Sequence, residues 1–93
     1  MQIEKGIFTY DYDTFMDYIY STAYVNQGMG KCLLMDYTEA ITDFTKAIEL
    51  EPHRLPIYDR CLKIYDRLND SEGAGMMKEK KAIAEEKYGD LPF

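Results

Sequence analysis

A proline that cannot continue a helix closes the most regular stretch of this chain. Between Asp36 and Pro52, the apolar residues Tyr37, Ala40, Ile41, Phe44, Ala47, Ile48 and Leu50 recur mainly at steps of three and four. That spacing lays them along one side of an α-helix and leaves Glu39, Asp43, Lys46 and Glu49 on the other. Ala40 and Ala47 are small enough for a neighbouring helix to come close, and Phe44 between them fills the gap. Pro52 biases Glu51 away from helical angles, so the helix is expected to end near Leu50.

The rest of the chain is read outward from this helix. Ninety-three residues fit one small domain with a modest core. Upstream, Phe15, Ile19, Thr22, Ala23, Asn26, Gly30, Leu33 and Leu34 keep to one broad side of a helix beginning near Asp13, with Asp11 or Asp13 as its cap. Gly28 and Gly30 each cost a helix about 1 kcal/mol relative to Ala, which predicts a close crossing with the next helix. Met35-Asp36 is a very short connection, so the two helices form an antiparallel hairpin. Downstream, Pro56 suits the first turn of a third helix running to about Leu68. Asp70 or Ser71 caps a fourth, and Gly89 stops it. Residues 1–12 have strand propensity and no visible pairing partner, and Leu91-Pro92-Phe93 forms a short apolar tail.

Shifting the chain by 34 positions pairs Tyr24 with Tyr58, Leu34 with Leu68, Asp36 with Asp70 and Ala40 with Ala74. In period and content this resembles the tetratricopeptide repeat family. Tyr24, Gly28, Ala40, Phe44 and Pro52 carry the family pattern in the first unit. Tyr58, Tyr65 and Ala74 carry it in the second, where Leu62 stands for the glycine, Lys78 for an aromatic and Lys81 for a small residue. Gln27 and Lys31 depart from the pattern in the first unit.

The expected architecture is therefore all-α. Residues 1–20 form an amino-terminal arm or helix extension, 21–54 a first repeat-like unit and 55–88 a second, with 89–93 as tail. Lysines at 78, 80, 81 and 87 mark the last helix as a solvating cap.

Charge and composition narrow the function classes. A formal charge of −6 disfavours nucleic acid, whose phosphates demand concentrated basic surface. Residues 1–52 carry three Lys/Arg against nine Asp/Glu, whereas residues 53–93 carry eight against eight. No apolar run is long enough to cross a bilayer. The amino end lacks a basic stretch and a long apolar core, so no secretory signal is expected. Cys32 and Cys61, without metal-ligand or CxxC spacing, read as reduced apolar residues, in keeping with a cytoplasmic location. His53 reads as a solvated loop residue, and Met29, Met35, Met76 and Met77 as core filler. No catalytic constellation, metal site or cofactor is expected.

On the third helix Arg60, Lys63 and Arg67 make one basic stripe in an acidic chain. The family resemblance implies a concave groove lined by the first helix of each unit. On this chain its positions are Thr22, Val25, Asn26, Met29 and Leu33, with Asp59, Arg60, Lys63 and Arg67 from the second unit. Asn26 and Arg60 also match two places of the carboxylate clamp of some members; Pro56 stands where that clamp has lysine. The expected function is a non-enzymatic interaction module for a peptide or partner helix, including ligands with acidic or carboxy-terminal carboxylate groups. The alternatives are self-association as a homodimer through a tyrosine-rich surface (Tyr10, Tyr12, Tyr18, Tyr20, Tyr24), or a regulatory part of a larger protein.

Overall fold

The computed structural model describes residues 12–89, with side chains from residue 14 onward. They form four helices: α1 (Tyr12–Leu33), α2 (Tyr37–Leu50), α3 (Leu55–Arg67) and α4 (Ser71–Tyr88). No strand occurs among the described residues, so the fold is all-α. Asp11, the strand-prone start and the apolar tail lie outside them.

Each helix packs chiefly on the next in sequence. The contacts along α1 and α2 run in opposite senses. Lys31 pairs with Glu39 at 2.9 Å, Gly28 lies against Phe44, and the Ser21 hydroxyl donates to the Ala47 carbonyl at 3.3 Å. The two helices are therefore antiparallel. On the second pair, Gly73 lies against Tyr65 and Lys81 meets Asp59 at 2.7 Å, again antiparallel.

The turns joining the pairs are the same turn. Met35 and Asn69, 34 positions apart, both take left-handed backbone angles, with φ of 61° and 57°. The amide of Asp36 donates to Lys31 and that of Met35 to Cys32; Asp70 donates to Tyr65 and Asn69 to Asp66. Both ends thus satisfy their last carbonyls with the same pair of bonds closed around a left-handed residue. Asp36 and Asp70 then cap the following helices, accepting from the amides of Glu39 and Gly73.

The core follows from these pairings. Ala40, Phe44 and Ala47 of α2 are at most 1% exposed; Ile57, Tyr58, Cys61 and Ile64 of α3 close over them, with Met77 and Ala84 from α4. Of the two helical glycines in α1, Gly28 faces the ring of Phe44, where an added Cβ would sit 3.0 Å from two ring carbons. Gly30 has nothing within 4 Å, so it marks no helix crossing.

Several sequence expectations need correction. Met77 is buried, but Met29, Met35 and Met76 are exposed: Met35 sits in a turn, and Met76 lies on the outward side of α4. Asp43, expected on the polar side, is 7% exposed because α1 crosses over it; its Oδ2 accepts no hydrogen bond. His53 is half-buried, its Nε2 3.5 Å from a Glu51 carboxylate oxygen and its ring edge-on to Tyr88. The cap helix α4 exposes Lys78, Lys80 and Lys87, yet its outer side also carries Met76 and Ile83, and Lys81 is turned inward to Asp59.

The glycine contacts give a paired prediction. Replacing Gly28 or Gly73 with Ala should destabilise the fold by about 1–3 kcal/mol despite the better helix former, because Phe44 or Tyr65 must move. Gly75→Ala, in open space on α4, should stabilise it by about 0.5–1 kcal/mol. Urea denaturation followed by circular dichroism measures both signs.

Candidate functional site

α3 positions the basic stripe because its opposite side is needed for the core. With Ile57, Cys61 and Ile64 turned inward, the three- and seven-residue steps from Arg60 bring Lys63 and Arg67 to the outside. α1 reaches this region with its last two turns, carrying Met29, Cys32 and Leu33. Between them opens a cleft of about 360 Å³, floored by Tyr37 and Phe44 of α2 and by Ile64. Met29, Leu33, Arg60, Lys63 and Arg67 all line it. One wall is therefore apolar and the other cationic.

Among the described residues, Arg60, Lys63 and Arg67 form no ion pair. Of the three carboxylates that sequence alone offers them, Asp59 is taken by Lys81 and Asp70 by the amide of Gly73, while Asp66 is exposed and forms no ion pair among the described residues. The three cations thus face the cleft unpaired with any of these groups.

The remaining expected groove residues part company with these five. Asp59 pairs with Lys81 on the side facing α4. Val25 is half-buried against the core. Asn26 is exposed and does not line the cleft. Thr22 accepts a hydrogen bond from Arg54 Nη1 at 3.1 Å, and Arg54 also donates to the fully buried Ser21 at 3.2 Å while its guanidinium lies over the Tyr18 ring at 5.5 Å. Arg54 thereby fastens the loop between α2 and α3 to the middle of α1. Periodicity gave no sign of this clasp, because Arg54 stands in a loop where no pattern applies. Tyr37 and Cys32, two further members of the cleft, are apolar residues that sequence reading assigns to the core.

Of the five tyrosines, Tyr20 and Tyr24 line one shallow hollow with Lys46, Glu49 and Leu50 of α2, and Tyr18 lies under the Arg54 guanidinium; Tyr10 and the side chain of Tyr12 lie outside the described residues.

Both thiols are free. Burial pushes the Cys61 thiol up to about 12, with Lys80 opposing only in part. Burial also raises Cys32, against the pull of Arg60 and Arg67 across the cleft. Among the described residues no cluster of His, Cys, Asp and Glu could hold a metal ion, and no helix is long and apolar enough to cross a membrane. Comparison with family models, curated proteins and solved structures finds no match.

The thiol environments give a second prediction. In native protein at mildly alkaline pH, Cys32 should react with a disulfide reagent well before Cys61, and urea should equalise them. A thiol that ionises near 9 unfolded and near 12 folded favours the folded state fully below pH 9, and that contribution disappears as pH rises to 12. Tyr58 and Tyr65, both raised chiefly by burial, act in the same sense above pH 10. The urea midpoint should therefore fall above pH 9, and Cys61→Ala should flatten the first part of that fall.

Proposed function

We propose that this chain is a non-enzymatic protein–protein interaction module of tetratricopeptide-repeat type, which takes an acidic peptide segment or partner helix into the cleft between α1 and α3. The observation that carries this reading is the trio Arg60, Lys63 and Arg67, without ion pairs among the described residues and facing apolar Met29 and Leu33. Guanidinium and ammonium groups left in this state recognise carboxylates, and the opposite wall offers contact to an apolar side chain of the same ligand. The repeated turn and cap, 34 residues apart, support the family reading. Two free thiols, Cys61 buried and Cys32 half-buried, suit a reducing compartment, and we place the module in the cytoplasm.

The ligand class follows from the two walls. A carboxylate, either an acidic side chain or a peptide carboxy terminus, approaches Arg60 and Arg67, whose forked donors match its geometry. A neighbouring Leu, Met or aromatic residue lies over Met29 and Leu33. The complex rests on few contacts, so micromolar affinity is expected.

Fluorescence anisotropy with a library of labelled acidic-apolar peptides tests this. Arg60→Glu with Lys63→Glu should weaken the best binder at least tenfold, and raised salt should weaken it for the parent chain. Binding unchanged by both substitutions and by salt refutes the assignment of the cleft.

A further inference from the structure

We propose, resting on the reading of the cleft as a ligand site, that Arg54 is its positioning residue. Arg54 lines no part of the cleft. It nevertheless fixes how far apart the two walls stand, and so how well they hold a carboxylate and its apolar neighbour together.

The need for such a residue follows from the packing. α1 and α3 each pack on α2 and hardly on each other, so interlocking of their own side chains does not set the distance between them. Across the cleft they are separated by about 360 Å³ of open volume.

Arg54 joins the two helices at the closed end of that cleft. Its backbone belongs to α3, because its carbonyl accepts from the Ile57 amide at 3.1 Å in the first turn. Its side chain is directed at α1. Nη1 donates to Thr22 Oγ1 at 3.1 Å and to Ser21 Oγ at 3.2 Å, and the guanidinium lies over the Tyr18 ring at 5.5 Å. Ser21 is fully buried and its own hydroxyl donates to the Ala47 carbonyl at 3.3 Å, so the bonds run on into α2. A planar cation with several fixed donors suits this junction, where acceptors and a ring must be met at once.

The lever from this clasp is long. Both helices leave it in the same direction: α1 from Thr22 toward Met29 and Leu33, α3 from Arg54 toward Arg60, Lys63 and Arg67. Arg67 stands about 20 Å beyond Arg54 along the helix. A tilt of about 5° at the clasp therefore moves Arg67 by about 1.7 Å. That exceeds the range of lengths over which a hydrogen bond to a carboxylate stays strong.

Positioning is separable from stability here. Loss of the guanidinium leaves the Ser21 hydroxyl bonded to the Ala47 carbonyl, so that buried group is not orphaned. Arg54→Met keeps most of the stem and should leave the chain folded.

Two measurements on the whole chain test the assignment. Pulsed electron paramagnetic resonance reads the distance between spin labels at Asn26→Cys on α1 and Asp66→Cys on α3, in a Cys32→Ser background; both positions are exposed and outside the cleft lining. Fluorescence anisotropy reads the affinity for the labelled acidic-apolar peptide that the parent chain binds best. Arg54→Met should broaden the distance distribution without ligand and weaken the peptide by about fivefold or more, with helicity unchanged. Thr22→Val, which removes one acceptor, should do the same to a smaller degree, and adding it to Arg54→Met should change nothing further. Should Arg54→Met perturb the fold, Thr22→Val decides by the same two readouts.

A residue that merely stabilises the chain would lower the urea midpoint and leave both readouts of the folded protein as they were; that result overturns the proposal. So does either change without the other. Peptide binding that depends on Arg60 and Lys63 but not on Arg54 overturns the role of Arg54 and leaves the reading of the cleft standing. A parent chain that binds no peptide overturns both.

Discussion

The contact on which this structure depends is the bare backbone of α1 at Gly28 resting on the ring of Phe44. With no side chain at Gly28, α1 can settle between Ala40 and Ala47, and Phe44 becomes almost wholly buried. That single close approach sets the depth of the first hairpin. It also decides which turns of α1 remain exposed beyond α2, and so where Met29 and Leu33 stand relative to α3. Gly73 against Tyr65 performs the same service in the second hairpin, with a half-buried ring in a more peripheral position.

Much of this was legible in the sequence, for identifiable reasons. Pro52 and Pro56 bracket a loop, Asp70 caps, and Gly89 stops, because each acts on the backbone within a few residues of itself and needs no knowledge of other helices. The recurrence of Leu34-Met35-Asp36 as Leu68-Asn69-Asp70 marked equivalent turns, which the structure shows to be bonded alike. Helix faces were legible from period. The exposure of Arg60, Lys63 and Arg67 could be read because the inward side of α3 is so consistently apolar that the outward side follows.

What stayed hidden depends on which helix lies opposite. Asp59 is next to Arg60 in the chain, but a rotation of about 100° per residue turns it toward α4 and Lys81. Asp43 sits on the expected side of α2, which α1 happens to cross. Of the four methionines read as core filler, Met29 stands on the cleft wall, Met35 in a turn and Met76 on the exposed side of α4. Arg54 offered no pattern at all. In each case the residue type and its helical angle were known, and the missing quantity was the identity of the neighbour.

Arg54 also shapes how the cleft responds to a visitor. Its guanidinium joins Ser21, Thr22 and the Tyr18 ring to the loop that leads directly into α3. The helix bearing the apolar wall and the helix bearing the cationic wall are consequently braced by one strut. The strut ties the base of α3 to the middle of α1 and so favours one fixed spacing of the two walls. A guest finds the spacing already set and gives up little free energy to organise its host, while a guest of the wrong width gains nothing by pushing.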